Sequence, residues 1–242
     1  HRQMQEKIDA CARALIAYGV RAGDAVSLCV LAMPEAVYLL YAINKIGAIA
    51  NMLVMNATEA EIHDKLAVTE SKVVITVDLA LEKIVQASKE TSVKHIIGVS
   101  LAESMPCVIG TLYKWKSKIK QDNCILFSEF LKAGQGKKID CQEIKADAPA
   151  VIAYTGGTTG KAKGVLLSNR AANAIAFQYK YADKVLDFQN GERFLDIIPP
   201  FLAYGLFFGV HMALYTCLED VICPDPAPER LPKLFTKYRP NH

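Results

Sequence analysis

The sequence has no pair of cysteines two residues apart. Its seven cysteines (Cys11, Cys29, Cys107, Cys124, Cys141, Cys217 and Cys223) are odd in number and scattered. Only five histidines occur in 242 residues, none clustered with a cysteine. Neither a zinc site nor a disulfide framework follows. Reduced, mostly buried thiols in a cytoplasm are the expected state. No excess of charge stands out either: 28 basic against 25 acidic residues give +3, too balanced for a nucleic-acid binder. Long apolar runs are also lacking. Residues 25–55 carry only Glu35 and Lys45 as charges, but Pro34, Glu35 and Asn44 interrupt them. They never reach the ~18 uninterrupted apolar residues of a membrane span. A buried strand (Ala25–Leu31) and a buried helix (Pro34–Ile46) are expected instead, with Pro34 in the first helical turn. No repeat or low-complexity tract occurs, and no leader is visible; a chain beginning at His1 is expected to lack its natural start. With 52% apolar residues the chain is not disordered, and its length suffices for one sizeable core or two small ones.

What is present has the rhythm of alternating strands and helices. Met4, Ile8, Cys11, Leu15 and Tyr18 share one helical face, and Gly19 ends that helix. Thr58 with Glu61 forms a capping box for a helix through Val68. Lys72–Thr76 reads as a strand, Leu79–Ser88 as a helix and Lys94–Val99 as a strand. The expected fold class is α/β, a doubly wound, mostly parallel sheet flanked by helices, with ligands at the carboxyl ends of its strands. Residues 100–147 break the rhythm as an irregular connection with a short helix near Phe127–Lys132. Within it, Lys114-Trp115-Lys116-Ser117-Lys118-Ile119-Lys120 is a basic cluster. A membrane contact is conceivable there, but so few lysines read better as a solvated loop. Further on come a helix over Ala171–Tyr181, a strand over Arg193–Ile198, a mostly apolar helix over Tyr204–Leu218, a strand over Asp220–Cys223 and a last helix to about Tyr238.

The densest chemistry lies at Tyr154-Thr155-Gly156-Gly157-Thr158-Thr159-Gly160-Lys161-Ala162-Lys163-Gly164: four glycines, three threonines and two lysines within eleven residues. Glycines let a backbone approach a ligand, successive N–H groups can cradle an anion, and hydroxyls and ammonium groups add donors. That set suits a polyphosphate. The segment is not a Walker A loop, which reads G-x-x-x-x-G-K-[ST] and opens a helix. Here three residues separate Gly156 from Gly160, Lys161 precedes Ala162, and Val165-Leu166-Leu167 looks extended. A kinase-like phosphotransferase is disfavoured for the same reason. A plain surface hairpin is the competing reading, and it gives no reason for this mixture of residues.

These residues resemble the signature loop of the AMP-forming adenylate-forming enzymes, roughly Y-T-S-G-T-T-G-x-P-K-G-V followed by a strand and Ser-His. Gly19–Val26 resembles the family's G-V-x-x-G-D-x-V. Asn44–Asn51 resembles its helix end and turn, Pro199–Gly205 its P-x-F-H-x-x-G, and Lys237–Pro240 its K-Y-x-P. The resemblance implies ATP-dependent activation of a carboxylic acid, with a fatty acid among the candidates, to an acyl-adenylate, with transfer to CoA and with Mg2+ accompanying the ATP. It implies that Thr155, Gly156, Gly157, Thr158, Thr159, Gly160 and Lys163 hold the nucleotide phosphates. It places the acyl chain near Phe201, Leu202, Tyr204 and Gly205, for which core packing is the plainer reading. Lys161 is equally well a solvated charge, Tyr154 reads as packing, and His211 as a satisfied core histidine. By this resemblance residues 1–242 are a partial N-terminal domain: residues 1–147 a first α/β portion, 148–242 the portion with the phosphate loop. The adenine, ribose and catalytic-lysine motifs would lie outside it, so no catalytic residue is assigned and the chain alone is expected to be inactive. Four positions depart from the pattern: Gly156 for Ser or Thr, Ala162 for Pro, Asn169 for His at an expected cap, and Leu202 for His or an aromatic residue. An enzyme that loads a carrier protein and a non-catalytic nucleotide-binding module are the alternatives.

Overall fold

The computed structural model describes residues 2–104, 124–139, 144–156, 162–181, 188–223 and 227–242. Helix α1 (Arg2–Ala17) buries Ile8, Cys11 and Leu15 and stops at Gly19, whose φ of 80° suits a residue without a Cβ. Strand β1 (Ala25–Cys29) leads to α2 (Pro34–Lys45), with Pro34 in its first turn. Strand β2 (Ile49–Met52) follows where the sequence suggested only a helix end and turn. A four-residue buried strand straight after a helix stop has too little length to show its period.

The capping box of α3 (Glu59–Thr69) forms as expected. The Glu61 N–H donates to the Thr58 hydroxyl at 3.2 Å, and the Thr58 N–H donates to the Glu61 carboxylate at 2.8 Å. Strand β3 (Val73–Val77) is buried at every position, the mark of a central parallel strand covered on both faces. A 3-10 turn (Asp78–Ala80) opens α4 (Leu81–Ala87), then come β4 (His95–Val99), the two-residue β5 (Ile125–Leu126) and α5 (Phe127–Ala133). Strands β6 (Pro149–Tyr154) and β7 (Gly164–Ser168) complete a seven-stranded sheet of order β5-β4-β3-β1-β2-β6-β7. All its pairs are parallel except the last, β6 with β7. The helices flank it in two groups, α1 against α2 and α5, and α3 against α4.

Helix α6 (Asn169–Tyr181) leaves β7. Asn169 is not its cap: the Ala171 N–H donates to the Ser168 hydroxyl at 3.2 Å, while the Asn169 amide donates to the Ala148 carbonyl at 3.4 Å. Strands β8 (Arg193–Asp196) and β9 (Glu219–Ile222) form a separate two-stranded parallel sheet. The crossover between them is a π-helix over Gly205–Met212 that ends in one α-turn, Ala213–Tyr215. Wide π turns mark sites where something disturbs regular packing. Gly205 and Gly209 supply a cause here. A Cβ at Gly205 would lie 2.4 Å from the Pro199 carbonyl oxygen, and one at Gly209 2.6 Å from Asp196 Oδ1. Helix α7 (Leu231–Tyr238) follows, and after it Asn241 and His242 bond to Arg193 and Leu195 of β8.

Among the described residues no helix is long and apolar enough to cross a membrane. The region 25–55 is a strand, helix and strand, as its interruptions require. Among the described residues Cys11, Cys29, Cys124, Cys217 and Cys223 form no disulfide, and burial pushes Cys11 up to about 12 and Cys29 up to about 11. The basic cluster Lys114–Lys120 lies outside the described residues, as do Pro224, Asp225 and Pro226.

Candidate phosphate-loop site

Strand β6 pairs in parallel with β2, so its last residue, Tyr154, sits at the carboxyl edge of the sheet. That is where ligands bind in open parallel sheets. Strand β7 returns antiparallel, with Tyr154 opposite Gly164. The two ends of the loop are clamped just beyond: the Thr155 N–H donates to the Lys163 carbonyl at 3.0 Å. Thr155, Gly156, Ala162 and Lys163 are all exposed. Nothing lies within 4 Å of where a Gly156 Cβ would be, so the hydroxyl side chain expected there by resemblance would fit. Gly157, Thr158, Thr159, Gly160 and Lys161 lie outside the described residues.

The hairpin faces a groove of about 960 Å3. Tyr154, Ala162 and Gly164 line one side, and Glu61, His63 and Lys65 of α3 line the other. The loop ends are therefore open to solvent and to a cavity rather than sealed. Lys65 holds its ammonium 4.4 Å from the centre of the Tyr154 ring, and burial lowers its pKa from the ordinary lysine value. Tyr154 is more than packing: its hydroxyl donates to Asn51 Oδ1 at 2.9 Å. Burial of that hydroxyl raises its pKa to about 12.

The second group of expected residues lies on the crossover from β8. Phe201 is half-buried against the same core that Tyr154 packs on. Gly205 is buried, whereas Leu202 is 42% and Tyr204 54% exposed. The Tyr204 ring lies parallel to Phe208, centroids 4.9 Å apart and planes 12° apart, and Phe208 in turn meets Tyr179 at 4.6 Å. These residues offer an apolar, partly open face.

His211 is satisfied, but it is half-buried at the edge of the core rather than within it. The Tyr41 hydroxyl lies 2.8 Å from Nδ1, and Nε2 lies 3.2 Å from Asn173 Oδ1. The amide oxygen can only accept, so Nε2 carries the proton and Nδ1 accepts from tyrosine. Burial lowers the pKa of this imidazole and favours the neutral ring.

Sequence reasoning did not single out Asn51, Lys65, Asp196 or Asp220. Asp196 is 1% exposed, and one oxygen of each aspartate is buried without a hydrogen-bond partner. Register places Asp220 beside Phe194, two residues before Asp196, so both carboxyls share a sheet face. Burial raises Asp196 to about 6; burial, then the charge of Asp196, raises Asp220 to about 8. The available signal was a lone polar residue inside each apolar stretch, Asn51 in Ile49–Met52 and Asp196 in Phe194–Ile198. Among the described residues no group of three or more His, Cys, Asp or Glu is placed to hold a metal ion.

Comparison with known proteins agrees with this geometry. The chain is 28% identical over 232 residues to a long-chain-fatty-acid–CoA ligase of Bacillus subtilis (strain 168), covering 92% of this chain and 41% of that protein. It is 28% identical over 189 residues to the 4-coumarate–CoA ligase CCL1 of Humulus lupulus, covering 78% and 31%. The chain thus spans well under half the length of these relatives. Its fold matches the crystal structure of the anthranilate CoA ligase AuaEII in complex with anthranoyl-AMP. That match has a TM-score of 0.80 at 19% identity and covers 99% of this chain and 43% of that one. The N-terminal domain of FACL13 from Mycobacterium tuberculosis gives 0.75 at 20% identity, covering 98% and 53%. The model of one family, described as AMP-binding enzyme, matches residues 1–242. A glycine- and threonine-rich loop at the carboxyl edge of a parallel sheet, within a match that runs from end to end, shows that the chain belongs to the AMP-binding enzyme family.

Proposed function

We propose that this chain is part of an enzyme that activates a carboxylic acid with ATP and passes the acyl group to CoA. A carboxylate oxygen attacks the α-phosphorus; the bond to the bridging oxygen of the β-phosphate breaks, and pyrophosphate leaves. The CoA sulfur then attacks the acyl carbon, the bond to the AMP oxygen breaks, and the thiol proton passes to solvent. Pyrophosphate departs as an anion, so donors aimed at the β- and γ-phosphates lower the first barrier. Thr155, Gly156, Gly157, Thr158, Thr159, Gly160 and Lys163 form that cradle in this reading. Phe201, Leu202, Tyr204 and Gly205 form part of the acyl-binding wall. Mg2+ bound to the triphosphate would neutralise part of its charge; no residue of this chain is assigned to it.

The observation that carries the reading is the placement of the loop. Its described ends are exposed at the carboxyl edge of β6 and open on a cavity, and Lys163 is at the surface. The fatty-acid and coumarate ligases among the relatives make fatty and aromatic acids the first substrates to try. In the full-length protein, Lys163→Ala should weaken ATP binding by about tenfold and slow acid-dependent pyrophosphate exchange with ATP. Unchanged affinity and exchange would remove Lys163 from the cradle. Supplying CoA or a carrier protein as acceptor separates the two thiol-transfer readings. Absence of exchange with every acid, with ATP binding intact, would favour a non-catalytic nucleotide-binding module. The 242-residue chain by itself is expected to give no robust turnover, and turnover in that assay would refute this.

A further inference from the structure

A closed polar circuit joins the start of the phosphate loop to α3. The Tyr154 hydroxyl donates to Asn51 Oδ1 at 2.9 Å. The Asn51 amide nitrogen donates to Ser27 Oγ at 2.8 Å and to Thr69 Oγ1 at 3.3 Å. Ser27 donates to Ser71 at 2.8 Å, and Ser71 and Thr69 share a 2.8 Å bond. Thr69 gives its proton to the Lys65 carbonyl at 2.8 Å, so Ser71 must be the donor to Thr69. The circuit closes through space, because the Lys65 ammonium lies over the Tyr154 ring at 4.4 Å. Asn51, Ser27 and Ser71 are fully buried. Every hydroxyl proton in the chain has one acceptor, so the protons run in a single direction. In a low dielectric such a network is stiff and costly to break.

The other end of the loop meets the same ring. A Cβ at Gly164 would lie 3.1 Å from Ile152 Cγ2 and 3.2 Å from Tyr154 Cε1, so the bare backbone of β7 lies close against the tyrosine. Tyr154 therefore touches both ends of the loop, while its hydroxyl is tied two strands deep into the sheet.

We infer that Tyr154 and Asn51 are positioning residues for nucleotide binding: the circuit through Asn51, Thr69 and Lys65 fixes where the phosphate loop leaves and rejoins the sheet. The inference rests on the phosphate-binding role proposed above. Neither residue need touch ATP. A loop rich in glycine loses much conformational freedom when it closes on an anion, and pinning its ends in advance lowers that cost.

The test is Tyr154→Phe in the full-length protein, which keeps the ring for Lys65 and Gly164 but leaves Asn51 Oδ1 without its donor. Ile84→Val, on the buried face of α4, serves as a control for general loss of stability. Amide hydrogen exchange at Thr155, Lys163 and Gly164 is read without nucleotide, and ATP affinity by calorimetry. In Tyr154→Phe, exchange should speed up by about fivefold and ATP should bind about tenfold more weakly, with acid affinity nearly constant. Ile84→Val should leave all three unchanged. Unchanged exchange in Tyr154→Phe would overturn the anchoring role. Equal acceleration in Ile84→Val would reduce it to global stability and overturn it too. Faster exchange with ATP affinity intact would overturn its service to the nucleotide. Faster exchange in a protein that binds no ATP even as wild type would uphold the anchor and sink the phosphate-binding role instead.

Discussion

The seven-stranded sheet and the β8–β9 strands bury different polar groups, although the large unit also leaves Ser88 Oγ, at the end of α4, without a partner. In the large sheet the side chains of Ser27, Asn51, Ser71 and Thr76 are buried, and each makes hydrogen bonds. In the small unit Asp196 and Asp220 each leave an oxygen buried without a partner, next to a π-helix. The first arrangement is what a rigid scaffold requires, since a satisfied network costs little and specifies one packing. The second stores unfavourable energy, and it lies beside Phe201–Gly205, the segment assigned to the acid. Unfavourable local structure held in place by its surroundings is expected at functional rather than purely structural positions.

The comparison can be broken from the scaffold side first. Ile75 is fully buried at the centre of β3. Ile75→Ala should cost about 2–5 kcal/mol, read as a lowered denaturant midpoint with an unchanged slope. A much smaller loss would mean that the large sheet is not the stable partner.

The carboxylates give the next effect, with the opposite sign. Both hold their protons more tightly in the folded chain than in the unfolded one, where aspartate ionises near 3.8. Their stability contribution is therefore complete below about pH 4 and is lost as pH rises through about 6 for Asp196 and about 8 for Asp220. Asp196→Asn should stabilise the protein at neutral pH, by on the order of 2 kcal/mol, and flatten the fall between pH 4 and 8. Melting curves across that range decide it. A variant that is less stable than wild type at pH 8 would show that the carboxylate has a partner in solution.

The smallest effect sharpens the account of the scaffold. Thr58→Ala removes the hydroxyl half of the capping box on α3, the helix that carries Lys65, and leaves the backbone N–H bond to the Glu61 carboxylate in place. The loss should be about 1 kcal/mol and confined to the first turn, visible as faster exchange of the Glu61 amide. Exchange at Thr155 should not change, because the circuit reaches α3 at its other end, through Lys65 and Thr69.

Much of this was legible in the chain. Helix α1 showed in the spacing of Ile8, Cys11 and Leu15, α3 in Thr58 and Glu61, and the turn between β6 and β7 in its glycines and threonines. All three are local, and local chemistry leaves a local pattern. Strand β2 was not legible, because four residues between Gly47 and the next loop are too few to show a period. The π-helix was read as ordinary apolar helix, because Gly205 and Gly209 matter only through Pro199 and Asp196, which pack against them. Asn169 was taken as a cap when Ser168, one residue earlier, fills that role.

The sequence by itself determined most of the strands and helices and which loop gathers glycine, threonine and lysine, because hydrophobic period, caps and glycine stops act over a few residues. The tertiary structure alone decided the order of the strands, the antiparallel edge formed by β7, the exposed mouth of the loop and the bond between Tyr154 and Asn51. Those two residues are 103 positions apart, and a pairing across that distance has no period to read. It exists only once β6 has settled beside β2 and both have lost their water.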